Sequence, residues 1–345
     1  MNTLGAAVIG AGYWGPNLVR NFVGSPEYDL RWVCDVDEAR AAKITAPYGS
    51  VRSTTSIDDV LSDPAVDVVA IATPAATHTA VALSALQAGK HVLVEKPLAA
   101  SYADGEKIVE EARRAGLVVM CDHTYCYTPA VRKIRDLIAS GELGDIHYVD
   151  SVRINLGLVQ RDVDVIWDLA PHDLSIMDAI LPVERRPIAV AAHGADPIGA
   201  GRACVAHLSL VLPGDAIAHV HVNWLSPTKI RTFVVGGSRR TLVWDDLNPS
   251  QRVTIYDRGV DMQEKDGTEA RNAAMISYRS GDMIAPALSE GEALRSVVDE
   301  LASAVREGRP ALTDGASGLR VLDILESASR SLEFKGAIVP LRTGR

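Results

Sequence analysis

Three glycines near the N-terminus, Gly10, Gly12 and Gly15, have the spacing G-x-G-x-x-G, and Tyr13 and Trp14 lie between the last two. The turn directly follows an apolar run and opens a helical pattern. Glycine at these positions lets the backbone bend sharply and approach a phosphate group, and the N–H groups at the helix start face the anion. The five residues therefore predict a dinucleotide-binding turn. A strand, turn and helix without a ligand is the alternative.

Asp35 ends the second apolar run, about 20 residues after the glycine turn, where dinucleotide-binding folds place an acidic residue. A carboxylate there accepts hydrogen bonds from the ribose hydroxyls of NAD, and it repels the 2′-phosphate of NADP. We therefore expect NAD as the cofactor. The alternative is that Arg40 reaches a 2′-phosphate, although it would have to overcome the charges of Asp35 and Asp37.

Candidate cofactor contacts also follow a later apolar run, because ligands of open parallel sheets bind at the carboxyl ends of the strands. Thr73 and Pro74 end the run that starts at Val68, and His78 falls in the first turn of the next helical pattern. We expect Thr73 and Pro74 at the cofactor. For His78, cofactor contact and a solvated or capping histidine both stay open.

The tripeptide Glu95-Lys96-Pro97 follows the run His91 to Val94. A lysine at this strand end stands over the crevice where the nicotinamide ring is expected, and Pro97 restricts the backbone that directs it, with a cis or a trans bond. We therefore expect Glu95 and Lys96 at the cofactor. On spacing alone, an exposed surface lysine is the alternative.

The segment from Trp167 to Asp173 precedes an apolar helical pattern. Because proline is tolerated in a first helical turn, the helix is predicted to start near Pro171, with Asp168 near its cap and His172 in its first turn. A carboxylate beside an imidazole orients the ring, so the pair predicts a general base. Capping is the alternative for Asp168, and Asp173 is interpreted as a favourable charge at the helix start. No metal site is expected, since no second ligand cluster accompanies these residues.

These residues need a scaffold that brings strand ends together, and the first third of the chain has such a pattern. Short apolar runs alternate with helical patterns, which predicts βαβ units and a doubly wound parallel sheet over residues 1–123. The predicted strands are Leu4 to Ile9, Arg31 to Cys34, Val68 to Ala72, His91 to Val94 and Leu117 to Cys121, and the predicted helices are Trp14 to Phe22, Glu38 to Ala46, Thr77 to Gln87 and Tyr102 to Ala115.

Residues 124–345 are predicted to form a substrate-binding and oligomerisation domain whose last helices pack back on the first. After the first helix, longer β-like runs dominate, and successive strands without helices between them predict an antiparallel sheet. The helix is predicted at Pro129 to Ser140, the strands at Ile146 to Ile154, Ala203 to Leu212, Ala216 to Leu225, Ile230 to Trp244 and Arg252 to Tyr256, and the closing helices at Glu292 to Arg306 and Ser317 to Phe334.

One predicted strand has two different faces. From His219 to Trp224, polar and apolar residues alternate, so His219, His221 and Asn223 lie on one face, while the valines and Trp224 are buried on the other. A polar face of this kind can pack on a second subunit. We therefore expect a homo-oligomer.

Composition limits the remaining classes of function. With 345 residues, 47% apolar and 23% charged, the chain is typical of globular enzymes. A net charge of −9 without a basic run excludes nucleic acid as a partner. The longest uncharged window, Val68 to Gly89, is interrupted by Pro74, so no membrane span is expected. Scattered cysteines predicted to be buried, and no visible signal peptide, favour the cytoplasm.

The motif order G-A-G-Y-W-G, C-D-V-D, A-T-P-A-A-T-H, V-E-K-P and D-L-A-P-H-D resembles the Gfo/Idh/MocA family of oxidoreductases, and the likeness covers essentially the whole chain. The resemblance implies a Rossmann domain followed by an α/β domain with a large open antiparallel sheet that mediates dimers or tetramers. Ile166, Trp167 and Pro171 stand where many members have glycines. This departure is similar to a subgroup from nucleotide-sugar, polysaccharide and antibiotic-sugar pathways.

The resemblance also implies an activity, the oxidation of a secondary hydroxyl of a sugar or cyclitol, or reduction of the ketone, with a nicotinamide cofactor. It assigns acid/base chemistry to His172 with Asp168, and polarisation of the hydroxyl to Lys96. We expect an NAD-dependent oxidoreductase acting on a nucleotide-linked or anionic sugar. A cyclitol or free-sugar dehydrogenase and a non-catalytic NAD-binding sensor are the alternatives. Further substrate candidates are Tyr125, Tyr127, Arg153 and Arg161, with solvated side chains as the alternative for both arginines.

Overall fold

The computed structural model describes residues 3–263 and 275–342, which fold into two compact units. Each unit is built on a sheet of its own. The first unit consists of the chain up to Thr128, Leu174–Ala179 and Glu290–Glu326, and the second consists of Pro129–Asp173, Ile180–Ser289 and the chain from Ser327.

The sheet of the first unit is parallel, and in the described residues its strand order is β3-β2-β1-β4-β5-β6. The predicted βαβ alternation is confirmed. β3 was missed because it has three polar residues and no apolar run. The strands are β1 Leu4–Ile9, β2 Tyr28–Cys34, β3 Arg52–Thr54, β4 Val68–Ile71, β5 His91–Glu95 and β6 Val119–Asp122, and the helices are α1 Gly15–Gly24, α2 Glu38–Thr45, α3 Ile57–Leu61, α4 Ala75–Gln87 and α5 Tyr102–Ala115.

The chain direction in this sheet explains where a ligand can bind. The order runs outward from β1 in one direction and from β4 in the other, so β1 and β4 flank the point where the order reverses. β1 and β4 are buried almost throughout, as expected for strands covered on both faces. The loops that follow β1 and β4 diverge at their carboxyl ends, and this crevice is the ligand-binding position of doubly wound sheets.

The segment Glu290–Glu326 also belongs to the first unit. Helix α8, Ala293–Glu307, buries Val297 and Leu301, and it packs in the same apolar cluster as Phe22 of α1. The hydroxyl of Tyr28 donates a 2.8 Å hydrogen bond to the Val298 carbonyl oxygen. Helix α9, Gly315–Glu333, follows it. Both helices were predicted within a few residues because their apolar positions recur at helical spacing.

The sheet of the second unit is mostly antiparallel, in the order β14-β13-β12-β11-β7-β10-β9-β8-β15 among the described residues. The pair β7 and β10 is parallel, which the prediction of an antiparallel sheet did not include. The strands are β7 Ile146–Leu156, β8 Ala189–Ala195, β9 Val205–Leu212, β10 Ala216–Asn223, β11 Leu225–Gly237, β12 Thr241–Asp245, β13 Val253–Gln263, β14 Met275–Ile284 and β15 Val339–Pro340, and two helices, α6 Pro129–Ala139 and α7 Val165–Ile180, precede β8.

Two predictions for this unit were wrong in detail. The run Ile230 to Trp244 is not one strand, because the chain turns between β11 and β12 and the two strands then pair with each other. Helix α7 starts at Val165 rather than near Pro171. Asp164 supplies the cap: its Oδ1 accepts hydrogen bonds from the N–H groups of Ile166 and Trp167 at 2.9 and 3.0 Å. The cap outweighs the preference of proline for a first turn, so Pro171 lies inside the helix.

The alternating faces predicted for β10 are confirmed. Val220 and Val222 are buried, whereas His219 is exposed and His221 partly exposed. On the polar face, the rings of His207 and His221 stack with centroids 4.1 Å apart. We call this face, which carries Ile217, His219 and His221, the open face.

Candidate functional site

The glycine turn after β1 has the geometry that a dinucleotide diphosphate requires. Gly10 has a φ of +104°, and a side chain there would collide with the Ala72 backbone. A side chain on Gly15 would collide with the Gly10 carbonyl oxygen. At Gly12, by contrast, a Cβ would meet no atom within 4 Å. Gly10 and Gly15 therefore allow the chain to fold, and Gly12 keeps the approach to the turn clear for a phosphate group.

Asp35 closes the same turn from the end of β2. Its Oδ2 accepts a 2.6 Å hydrogen bond from the N–H of Ala11, and its Oδ1 accepts one of 2.9 Å from the N–H of Asp37. Arg40 lies 3.4 Å from both Asp35 and Asp37, so two carboxylates already balance its charge. The surroundings of Arg40 thus favour the diol of NAD over the 2′-phosphate of NADP.

The two aromatic residues of the turn differ. Tyr13 is 94% exposed. Trp14 is partly buried, and its Nε1 donates a 3.0 Å hydrogen bond to Oδ2 of Asp122 at the end of β6. The indole therefore connects the glycine turn with the carboxyl edge of the sheet three strands away.

Three charged side chains meet at the ends of β5 and β6. Glu95 and Asp122 are neighbours in the register of the two strands, and Lys96 follows Glu95 directly. Burial raises the pKa of Glu95 to about 8, and the negative charge of Asp122 adds to the shift, whereas Lys96 opposes it. Burial also raises the pKa of Asp122, although Thr124 and Trp14 donate hydrogen bonds to its carboxylate. The two carboxyl groups are therefore arranged to hold a proton beside the lysine.

His78 is buried in the first turn of α4, so a solvated histidine is wrong. Its Nδ1 lies 2.9 Å from the Pro97 carbonyl oxygen, and its Nε2 lies 2.8 Å from the Thr73 carbonyl oxygen. Burial lowers the pKa of the imidazole. Both ring nitrogens face atoms of the protein, so His78 connects the turn after β4, which Thr73 and Pro74 begin, with the cis peptide between Lys96 and Pro97.

Sequence reasoning missed His123, which directly follows β6. The side chain is 1% exposed, and neither ring nitrogen has a hydrogen-bond partner within the part of the chain that the structure describes. Burial lowers its pKa to about 4, Lys96 lowers it further, and Asp178 opposes the shift. Glu95 and Lys96 were predicted because polar residues directly after a buried strand lie at the ligand edge of the sheet. The same rule would have identified His123.

In the second unit, helix α7 carries both predicted acid/base residues. Asp168 lies in the first turn and His172 one turn later, so their side chains share a face of the helix. Both are partly buried. The Nε1 of Trp224, a fully buried residue directly after β10, donates a 2.9 Å hydrogen bond to Oδ2 of Asp168. Asp164, not Asp168, caps the helix, so the capping alternative for Asp168 is wrong.

Two substrate candidates are corrected by their burial. Arg153 is 4% exposed and makes a bidentate ion pair with the buried Asp173, at 2.7 and 3.0 Å, so neither is solvated and Asp173 is not a simple helix-start charge. Tyr127 is 2% exposed, and its hydroxyl lies 3.0 Å from Oγ1 of Thr313. Both candidates are therefore structural. Tyr125 is partly buried and Arg161 is exposed, and both stay predictions.

The first unit thus brings together the glycine turn, Asp35, the Thr73 turn and Lys96 at one edge of a parallel sheet with the order 3-2-1-4-5-6. The second unit brings together Asp168 and His172. Among the described residues, no group of three His, Cys, Asp or Glu side chains is placed to hold a metal ion. A sheet and turn of this kind define the class of NAD-binding Rossmann domains.

The family follows from the sequence comparisons. Residues 4–123 match the model of the Gfo/Idh/MocA oxidoreductases described as having an NAD-binding Rossmann fold, and residues 131–243 match the C-terminal domain model of the same family. The chain belongs to the Gfo/Idh/MocA family, and it is an NAD-binding oxidoreductase. The resemblance seen in the motifs is confirmed.

The chain is similar to three characterised members of the family. UDP-N-acetylglucosamine 3-dehydrogenase from Acidithiobacillus ferrooxidans is 28% identical over 91% of this chain and 93% of its own, and its solved structure has a TM-score of 0.80 over 97% and 99%. GenD2 from gentamicin A biosynthesis, solved in complex with NAD, is 25% identical with a TM-score of 0.81 over 99% and 97%. scyllo-Inositol 2-dehydrogenase (NAD(+)) from Bacillus subtilis is 28% identical over 54% of this chain and 56% of its own.

Proposed function

We propose that the protein transfers hydride between NAD and a secondary hydroxyl or ketone of a sugar, and that the sugar is nucleotide-linked or otherwise anionic. The observation that carries the proposal is the pair Asp168 and His172, one helical turn apart, with the carboxylate held by a buried indole. A relative that covers nearly the whole chain acts on a UDP-linked sugar, which supports the substrate class.

The proposed reaction assigns one task to each side chain. Bound NAD would supply the hydride acceptor. His172 takes the proton of the reacting hydroxyl, and Asp168 orients the imidazole and stabilises its cationic form. Lys96 stabilises the oxygen that becomes negative as its proton leaves. In the reverse direction His172 returns the proton to the ketone oxygen.

The binding residues are proposed by the same reasoning. Residues 1–123 hold NAD, and residues 124–345 hold the substrate. Tyr125 and Arg161 are the remaining substrate candidates, because their side chains are not fully buried. The proposed cofactor contacts are Gly10, Gly12, Tyr13, Trp14, Gly15, Asp35, Thr73, Pro74, Glu95 and Lys96, with His78 placing two of the turns.

We further propose a homodimer or homotetramer formed through the open face. Val211, Ile217 and Tyr148 are exposed by 36%, 39% and 37%, and they are neighbours in the register of β9, β10 and β7. Partly exposed apolar side chains in a row across three strands are typical of a protein interface.

The cytoplasm is the proposed compartment. All four cysteines are buried outside any disulfide, as expected for a chain in a reducing environment. No helix in residues 3–263 and 275–342 is both long and apolar enough to cross a membrane.

The test is turnover with a panel of UDP-linked sugars, free sugars and cyclitols, followed by NADH absorbance. We expect the highest kcat/KM with a UDP-linked sugar. Preference for a cyclitol would favour the second candidate, which the inositol dehydrogenase relative supports. NAD binding without turnover of any class would favour a sensor.

Side-chain variants test the roles. Lys96→Ala and His172→Ala should each lower kcat by about 100-fold, because the first removes the charge that stabilises the reacting oxygen and the second removes the group that takes its proton. NAD affinity by calorimetry should stay within a few-fold for His172→Ala. His147→Ala, at an exposed histidine near the start of β7, is the matched histidine control. Turnover within a few-fold of the parent for both variants would overturn the assignment.

A further inference from the structure

The carboxylate of Asp168 accepts its hydrogen bond from a residue that neither the sequence nor the assigned chemistry singles out. Trp224 is 1% exposed, and its Nε1 lies 2.9 Å from Oδ2 of Asp168. An indole N–H is a donor only. It therefore accepts no proton from the reaction, and it holds one oxygen of the carboxylate that is proposed to orient the imidazole.

The backbone of Trp224 is fixed on both sides. Its N–H donates a 3.0 Å hydrogen bond to the Cys204 carbonyl oxygen before β9, and its carbonyl oxygen accepts one of 2.9 Å from the N–H of Gly157 after β7. The indole fills a buried position at the end of β10, so its donor has little freedom to follow a displaced carboxylate. A rigid donor of this kind selects one orientation of the Asp168 side chain.

We propose that Trp224 is a positioning residue for the proton transfer: its indole N–H fixes Asp168 in the orientation that His172 needs. This inference rests on the proposed function, because it assigns Trp224 an effect only through the Asp168 and His172 pair. In the proposed reaction, Trp224 itself takes up neither the proton nor the hydride.

The same helix supplies a matched control. Trp167, next to Asp168 in α7, donates its Nε1–H to Oγ of Ser329 at 2.9 Å. Trp167→Phe and Trp224→Phe therefore each remove one indole donor from the surroundings of α7 and keep a large aromatic ring. Only Trp224→Phe removes a donor to the carboxylate.

The experiment compares kcat, KM and the pH profile of Trp224→Phe, Trp167→Phe and Asp168→Asn with the parent. We expect Trp224→Phe to lower kcat about tenfold with KM for NAD unchanged. The acid limb of the kcat/KM profile should move to lower pH, because a carboxylate that is no longer held in place stabilises the imidazolium less. Trp167→Phe should keep both the kcat and the profile of the parent.

The outcomes separate this inference from the proposed function. If Asp168→Asn loses turnover but Trp224→Phe keeps the parent's pH profile, Trp224 has no positioning role. Equal losses in both tryptophan variants, with unshifted profiles, would mean a general packing effect and would overturn it too. If Asp168→Asn itself keeps the parent's turnover and profile, the proposed acid/base pair fails. Trp224→His, which restores a ring N–H, should recover part of kcat if the variant folds with the parent's melting temperature.

Discussion

At the residue scale, the site contains two carboxyl groups whose charge the fold controls. Glu95 and Asp122 adjoin each other in the strand register, and burial favours the neutral form of each. Lys96 is next to them, so its charge faces two carboxyl groups that share the edge of the sheet. A small change of protonation there alters the field at the proposed nicotinamide position.

The variant Glu95→Gln tests whether the fold raises the pKa of Glu95. The pKa of Glu95 is raised from 4.5 to about 8, so the stability that this group contributes is complete below pH 4.5 and is lost as the pH rises through 8. The glutamine variant has no such loss. The unfolding free energy of the variant minus that of the parent should therefore be larger at pH 9 than at pH 5 by on the order of 3 kcal/mol.

Urea unfolding without cofactor, followed by tryptophan fluorescence at both pH values, measures this difference. Glu106→Gln, at an exposed position on α5, is the control. Its unfolding free energy should differ from that of the parent by the same amount at pH 5 and at pH 9. If the unfolding free energies of Glu95→Gln and the parent differed by the same amount at pH 5 and at pH 9, the pKa of Glu95 would not be raised by folding.

The residue types and spacings were sufficient to place the glycine turn, Asp35 and Lys96 at the ends of strands and Asp168 and His172 on one helix, because each of these positions is fixed by local sequence. The roles of these residues stay predictions. They were not sufficient for Arg153 and Tyr127. Whether an arginine is solvated or paired depends on Asp173, 20 residues away, and whether a tyrosine lines a pocket depends on Thr313, 186 residues away. Contacts of that separation leave no local pattern.

At the element scale, the ends of β4 and β5 are connected by one side chain of α4. The ring nitrogens of His78 lie 2.8 and 2.9 Å from the carbonyl oxygens of Thr73 and Pro97, so the imidazole stands between the turn after β4 and the turn that carries Lys96. A neutral imidazole has one N–H, and it can satisfy one of the two carbonyl oxygens at a time. The position of Lys96 therefore depends on a residue that carries no reacting atom.

His78→Phe should loosen this connection. The ring volume is nearly kept, but both contacts to carbonyl oxygens are lost, so we expect kcat to fall about tenfold and the melting temperature to drop by about 4 °C. Thr77→Ala is the control, because the Thr77 hydroxyl donates to the turn of Thr73 and Pro74, on the side of His78 away from Lys96 in sequence. Steady-state kinetics and calorimetry make the comparison. Equal kcat values for the two variants would contradict a role in placing Lys96.

Element types were more predictable than element ends. Helix α7 was recognised from its apolar positions, yet its start was placed near Pro171 because proline is common in first turns. Asp164 caps the helix seven residues earlier than that proline. Asp164 and Pro171 each predict a helix start, and the folded structure decides which of the two residues begins α7. The same is true of the turn between β11 and β12, which interrupts a continuous apolar run.

At the scale of the whole molecule, the open face determines the proposed assembly. Ile217 lies in the centre of the apolar row formed with Val211 and Tyr148. Ile217→Asp should shift sedimentation velocity toward the monomer, because a charge buried at an interface without a partner costs several kcal/mol. Val183→Asp, at a residue 70% exposed and outside the sheet, is the control. A parent that already sediments as a monomer would contradict the assembly.

The parallel pair of β7 and β10 shows the limit of sequence reasoning at this scale. Successive β-like runs indicated an antiparallel sheet, and most pairs are antiparallel. β10, however, follows β9 in a hairpin and then meets β7, which runs in the same direction. Which distant strand fills that place is decided by the packing of the complete sheet, and no local pattern records it.

The four buried thiol groups allow local unfolding of the protein to be measured by chemical labelling. Cys34, Cys121 and Cys126 lie in the first unit and Cys204 in the second. A thiol-reactive dye can reach them only when the surrounding structure separates, so the rate of labelling reports how often each unit opens. Mass spectrometry of the labelled peptides would read the two units separately, without introducing a probe into either.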